Sequence, residues 1–173
     1  MNATMDWRAW LSAVRADLAD LATQDFGYPL GTNEVRAAGL TSVAGLPAQL
    51  CALYAACDGL SVPDVHVGYF IDTAARTVTA AQRGEPTLVA RPGPLRVHVF
   101  GTDGGGGRFA LGLDDGAVYY LPSSGAVRDG RFEEDAASPV RQLAASVEDL
   151  LDRLRADVHA FVAADEAHSY LVS

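Results

Sequence analysis

The sequence predicts an α+β fold in which helices at the N- and C-terminal ends flank a mainly antiparallel sheet. Apolar residues recur every three or four positions near both ends of the chain, which is the helical period. The middle of the chain instead alternates apolar and polar residues, as half-buried strands do. Runs of strands bracketed by helices are typical of α+β proteins. We expect one domain over residues 1–173, because a chain of that length buries a sizeable core without disulfides or metal.

The first and last helices are predicted by their apolar stripes. Trp7 begins the first stripe, which continues through leucine and valine residues to Leu21. The last helix is expected to begin at Ser146 and to continue to residue 162. Asp149 stands three residues after that serine, which is the spacing of a capping box. Both helices are therefore expected to pack one apolar face against the sheet.

A further helix is predicted within residues 46–59, written LPAQLCALYAACDG. Pro47 suits a first helical turn, and Gly59 is expected to cap the helix end with a positive φ. Cys51 and Cys57 lie six residues apart and do not form a CxxC pair, so we expect both thiols to be reduced.

Alternation and turn residues predict the strands. The four clearest strand segments are residues 65–71, 95–100, 108–113 and 117–121. Asp114-Asp115-Gly116 separates the last two and is a hairpin signal. Residues 76–82 fit either a strand or a short helix, and the proline- and glycine-rich residues 83–94 and the polar residues 122–139 are expected to be loops.

Charge and hydropathy narrow the classes of partner. The net charge is −9, and all 13 basic residues are arginine, whereas nucleic-acid binders usually carry a basic surface. We therefore expect no direct nucleic-acid binding. No apolar run reaches about 18 residues, so no membrane span is expected. The N-terminus lacks the basic and apolar regions of a signal peptide, which favours a cytoplasmic protein.

The segment FGTDGGGGR, residues 100–108, resembles a phosphate-binding loop only superficially. In such a loop the glycines lead into a helix, whose free N–H groups hold the anion. Here the next segment has the strand pattern, and the chain contains no lysine for a P-loop. We expect the loop to be structural or to face a partner, and we expect no nucleotide and no other cofactor.

No complete catalytic or metal-binding constellation is evident in the sequence. The four histidines are scattered, and no HExxH motif or serine nucleophile elbow is present. Asp103, Asp114 and Asp115 could form a carboxylate cluster at one end of the sheet, but Asp114-Asp115 fits a turn better. Tyr119-Tyr120 is expected to place one ring on each face of a strand. We expect neither a catalytic residue nor a metal ligand.

Three segments together resemble the SUKH superfamily, which includes a fungal cell-wall assembly regulator of the Smi/Knr type and bacterial immunity proteins of polymorphic toxin systems. These segments are LPAQLCALYAACDGL, FGTDGGGGRFALGLDDGAVYYL and ASVEDLLDRLRADV, within residues 45–162. In the family the loop reads G-x-D-G-x-G followed by Asp or Asn. The matching residues are Gly101, Asp103, Gly104 and Gly106, whereas Gly107 replaces the usual polar residue and Asp58-Gly59 replaces an Asn-Gly.

The resemblance implies a single SUKH-like domain that binds another protein and has no catalysis of its own. Its bacterial members inhibit a cognate toxin, and an acidic protein suits a basic toxin domain such as a nuclease. A regulatory scaffold for a cellular protein remains an alternative, as does a small-molecule binder or hydrolase that uses the glycine loop. The structural residues expected are Gly59, Gly101, Asp103, Gly104, Gly106 and Gly116. The candidate partner-binding residues are Asp103, Arg108, Asp114, Asp115 and Tyr119.

Overall fold

The computed structural model describes residues 5–172, so residues 1–4 and Ser173 of the predicted domain lie outside the described part. The four α-helices are α1 (Trp7–Thr23), α2 (Ala48–Ala56), α3 (Ala74–Val78) and α4 (Val147–Val162), and a 3₁₀ turn covers Ala81–Arg83. The first five strands are β1 (Glu34–Ala37), β2 (Cys57–Val62), β3 (Tyr69–Ile71), β4 (Leu88–Ala90) and β5 (Leu95–Asp103). The others are β6 (Arg108–Gly112), β7 (Val118–Leu121), β8 (Ala126–Arg128), β9 (Arg131–Glu133) and β10 (Arg141–Ala144).

The strands form one branched, mainly antiparallel sheet organised around the long strand β5. One edge of β5 pairs with β4 and then with β3, which continues to β2 and β1. Its other edge pairs with β6, which continues to β7 and β10. The hairpin β8–β9 joins β4 through a parallel pairing with β9. The predicted α+β class with helices at both ends and a mainly antiparallel sheet is confirmed.

Both faces of the central strands are buried, by different parts of the chain. The larger core lies between the sheet and helices α1, α2 and α4, and includes Phe100 and Phe109. A smaller core on the other face includes Val97, Val99 and Phe132 from β9. Phe100 faces the helical side, opposite to Val97 and Val99, as strand alternation requires, and a bulge in the β5–β6 pairing lies between Val99 and Gly101. The sheet is thus covered on both sides, and its ends and edges are the parts left at the surface.

The apolar stripe of α1 and the capping box of α4 predicted the positions of these two helices correctly. In α1 the buried residues are Trp10, Val14, Leu18 and Leu21, as the stripe predicted. At the start of α4, the Ser146 hydroxyl accepts from Asp149 N–H, and the Asp149 side chain accepts from Ala145 N–H. The segment 76–82, left open between strand and helix, contributes to α3 and the 3₁₀ turn.

The expected role of Gly59 as a helix cap is wrong. Helix α2 ends at Ala56, and Gly59 lies inside β2 with a φ of 79°. It stands at the bulge in the β1–β2 pairing. A Cβ there would collide with the carbonyl oxygens of Ile71 and Asp72. The glycine is still required, but by strand geometry and close backbone approach.

Several short strands were missed or misplaced by the sequence patterns. The expected strand 65–71 is ordered as a strand only over Tyr69–Ile71, because the preceding residues form a turn. Segments expected to be loops contain β4 and the β8–β9 hairpin, and β1 and β10 were not predicted at all. Each of these strands has only three or four residues, which is too short for an alternation of apolar and polar residues to be recognised.

Candidate binding surface and the glycine loop

The glycine loop, residues 104–107, is held in place by the carboxylate of Asp103. This side chain is only 5% exposed. Its Oδ1 accepts a hydrogen bond from Gly107 N–H over 2.7 Å, and its Oδ2 accepts one from the Tyr120 hydroxyl over 2.7 Å. Asp103 N–H also donates to the Gly107 carbonyl over 3.0 Å, which closes the loop. Both carboxylate oxygens are therefore engaged inside the protein.

Close packing explains the glycines of this loop better than conformational freedom does. Only Gly106 has a positive φ, at 85°. A Cβ at Gly104 would collide with the Val67 carbonyl, and one at Gly107 would collide with the Tyr120 ring and hydroxyl. The absence of a side chain at Gly107 thus allows Tyr120 to lie against the loop.

The expectation that Asp103 faces a partner is wrong, because its carboxylate is buried and occupied. Tyr120, which the sequence did not single out, is its partner. The pairing of β6 with β7 places Tyr120 opposite Phe109, directly beside the start of the loop. Burial, first, and the hydrogen bond to Asp103, second, raise the pKa of the Tyr120 hydroxyl. The adjacent tyrosines 119 and 120 were a signal for one such ring on each face of the strand.

The strongest candidate for a binding surface is the β6–β7 turn, at the other end of β6. We define the hairpin surface as Arg96, Leu113, Asp114 and Asp115. Leu113 is 41% exposed, one of the few large apolar side chains at the surface of the described residues. Asp114 forms an ion pair with Arg96, whose side chain is 63% exposed. An apolar centre with charged neighbours has the composition of a small protein-binding patch.

Tyr119 supports the hairpin surface from beneath. It is 8% exposed, so it is not the surface residue that the sequence suggested. Its hydroxyl donates to Asp115 Oδ2 over 2.6 Å, and Asp115 Oδ1 accepts from Ala117 N–H over 3.0 Å. The Arg91 guanidinium lies 5.5 Å from the centre of its ring. The turn is therefore rigid before any partner arrives.

Electrostatics at the hairpin surface follow from these contacts. The hydrogen bond to Asp115, ahead of burial, raises the pKa of the Tyr119 hydroxyl. The hydrogen bond from Arg96 lowers the pKa of Asp114. Asp114 therefore stays ionised at neutral pH, and Tyr119 keeps its proton as a donor.

The candidate residues do not form one site. Asp103 and Arg108 precede or begin β6, whereas Asp114, Asp115 and Tyr119 follow it, so the two groups are separated by about 17 Å of strand. Arg108 pairs with Glu85 over 2.6 Å, a partly buried contact that fixes the 3₁₀ segment. The three aspartates considered as a cation cluster do not converge.

Two of the histidines, His98 and His168, have partners inside the protein. His98 Nε2 lies 2.9 Å from the Thr77 carbonyl oxygen. His168 Nε2 lies 2.7 Å from Asp157, whose other oxygen accepts from the Tyr69 hydroxyl. Residues 5–172 contain no group of three or more His, Cys, Asp or Glu side chains placed to hold a metal ion. Both cysteines are free thiols.

No helix within residues 5–172 has the length and apolar character needed to cross a membrane. Comparison with known proteins adds no relative: no family model, no curated protein and no solved structure matches the chain.

Proposed function

We propose that this protein is a non-enzymatic binding domain that neutralises a cognate protein toxin by contacting it through the hairpin surface. The observation that supports this best is the exposed Leu113 at the tip of a rigid, charged turn. Contact of an apolar side chain with water is unfavourable, and the free energy falls when a partner covers that side chain. Because Tyr119 already orders the turn, little conformational entropy is lost on binding.

The charge of the protein supports a basic partner. The net charge is −9, and two aspartates directly follow Leu113 at the hairpin surface. A basic toxin domain, such as a nuclease with a cationic active site, would be attracted over several ångströms before contact. Complementary charge of this kind chiefly raises the association rate and excludes wrong partners.

The glycine loop supports a binding role over a catalytic one. Asp103, the carboxylate nearest the loop, has both oxygens hydrogen-bonded inside the protein. The segment after the loop is strand β6 and not a helix, so the loop does not lead into a helix N-terminus that would hold a phosphate. The exposed loop residues are glycines without side chains for acid or base chemistry.

The test is titration calorimetry with the product of the gene adjacent to its own, combined with an assay of that product's toxic activity. We expect tight, stoichiometric binding and loss of the toxic activity in the complex. Binding without inhibition would favour the regulatory scaffold instead. Turnover of a small molecule by the isolated protein, with no protein partner bound, would contradict the proposal.

A further inference from the structure

A second, unrelated site is outlined by the β7–β8 connection, the segment before β10 and the end of the described chain. The described residues line an open surface cavity of about 460 Å³ there. Its polar lining is unusual for so acidic a protein: Ser123, Ser124, Ser138 and Arg141 face it, together with Tyr120. None of these side chains carries a negative charge.

Arg141 has no carboxylate partner among residues 5–172. Six other arginines in that range do have one. It is nevertheless held in place. Its guanidinium donates to the Leu171 carbonyl over 3.0 Å and lies 5.3 Å from the centre of the Tyr120 ring. A guanidinium has five N–H donors, so most of its donors remain for a ligand.

The serine hydroxyls are also available. Within the described residues, Ser123, Ser124 and Ser138 make no side-chain hydrogen bond, although they line the same cavity. Each hydroxyl can donate one hydrogen bond. Three hydroxyl donors and an arginine fork, arriving from different segments, match the several acceptor oxygens of a tetrahedral oxyanion better than the two oxygens of a planar carboxylate.

Nearby acidic side chains do not neutralise the cavity. Glu134 accepts a hydrogen bond from Val140 N–H, and Asp135 accepts one from Ala137 N–H, so both carboxylates are turned to their own loop. Asp103 lies behind Tyr120, is buried, and accepts the hydrogen bond of the Tyr120 hydroxyl. Among the described residues that line the cavity, Arg141 is the only one with a charged side chain.

We propose that this cavity binds the phosphate group of a small phosphorylated molecule. Arg141 binds the phosphate oxygens, and the serine hydroxyls complete the set of donors. The volume exceeds that of a phosphate ion, and Pro122 and Pro139 supply apolar wall for the organic part of a monoester. The site is separate from the glycine loop and from the hairpin surface, and it does not depend on the toxin-binding function.

The test is NMR titration of the full chain with inorganic phosphate and with glycerol 3-phosphate, at constant ionic strength. We expect shifts confined to residues 120–124 and 137–141, with the monoester binding more tightly. Arg141→Gln should weaken binding by about tenfold or more, because it removes the charge. Arg8→Gln, an exposed arginine of α1 outside the cavity, should bind like the parent.

A second variant keeps the test decisive if Arg141→Gln disturbs the fold. The pair Ser124→Ala and Ser138→Ala leaves every internal contact of Arg141 in place, and it should weaken phosphate binding severalfold. Unchanged binding in that pair, shifts elsewhere in the protein, or equal binding of acetate would overturn the proposal. An absence of any shift at millimolar phosphate would overturn it as well.

Discussion

The Tyr120 hydroxyl donates a 2.7 Å hydrogen bond to Asp103 Oδ2, and this contact joins β7 to the glycine loop. Asp103 then uses its other oxygen to hold Gly107 N–H. The loop conformation therefore depends on a side chain that follows it by more than a dozen residues. A buried carboxylate that loses one such partner is left with an unsatisfied acceptor, which is costly.

Tyr120→Phe should lower the free energy of unfolding by about 1–3 kcal/mol, because it removes the hydroxyl and leaves Asp103 Oδ2 without its donor. Chemical denaturation measures the effect. Tyr28→Phe is the matched control, since Tyr28 is 50% exposed and has no hydrogen bond through its hydroxyl among the described residues. Equal stability of the two variants would show that the Tyr120–Asp103 hydrogen bond does not contribute to the free energy of unfolding.

Substitutions within the glycine loop should separate packing from backbone strain. Gly107→Ala should destabilise strongly, because its methyl group would overlap the Tyr120 ring. Gly106→Val should cost about 1–3 kcal/mol, because valine is strained at a φ of 85°. Gly105→Ala is the control, since it has neither a positive φ nor a close backbone neighbour. Thermal melting compares the three variants. An equal loss of stability in all three would contradict the assignment of packing to Gly107 and of backbone strain to Gly106.

The helix start at α4 should make stability depend on acidic pH. The hydrogen bond from Arg153, first, lowers the pKa of Asp149 below its usual value of 3.8. A lowered folded-state pKa means that the stabilisation is complete above 3.8 and is lost as the pH falls through the folded-state value. Asp149→Asn should therefore cost about 0.5–1 kcal/mol at pH 7 and much less at pH 3.

A neighbour on the same helix gives the control for that pH effect. Partial burial raises the pKa of Asp152, so its ionised form is not stabilising in the folded state. Asp152→Asn should leave stability at pH 7 unchanged or slightly higher. Denaturant melts at pH 7 and pH 3 test both variants. A loss for Asp152→Asn as large as that for Asp149→Asn would contradict the assigned role of the Arg153 contact.

Charge at the hairpin surface should govern the rate of association with the partner. Asp114→Arg should slow association without unfolding the domain, because Asp114 is exposed and its only ion-pair partner within the described residues is Arg96. Raising salt from 0.1 M to 1 M shortens the Debye length from about 10 Å to about 3 Å, so association of the parent should slow while dissociation changes less. Asp20→Arg, on α1, is the control, and stopped-flow kinetics measure the rates. An association rate that does not depend on salt would contradict the proposed role of charge at the hairpin surface.

The sequence predicted the elements whose information is local. The stripe of α1, the Ser146 cap of α4 and the turn at Asp114-Asp115-Gly116 lie at the expected places, because each depends on neighbours within one or two turns of chain. Strands such as β1 and β10, by contrast, pair only with segments that are well separated from them in the sequence. A pattern of three or four residues does not reveal such pairing.

Of the four residues of the hairpin surface, the sequence singled out Asp114 and Asp115 but neither Arg96 nor Leu113. Asp114 and Asp115 lie at the surface as expected, whereas Asp103 and Tyr119 are buried supports. The register of β6 and β7 decides which of the two adjacent tyrosines contacts which aspartate. That register cannot be predicted from a single sequence. Leu113, the last residue of the predicted strand 108–113, lies just past the end of β6 and is exposed.

The affinity of Leu113→Asp for the proposed toxin partner tests the proposed function most directly, with Leu40→Asp as the matched control. Both leucines are exposed, Leu40 fully so and Leu113 by 41%, so neither change should lower the melting temperature. We predict that Leu113→Asp weakens binding by about 100-fold, as expected for loss of an apolar anchor at the centre of an interface, while Leu40→Asp binds like the parent. Unchanged affinity of Leu113→Asp, or an equal loss in Leu40→Asp, would contradict the hairpin surface as the site of binding.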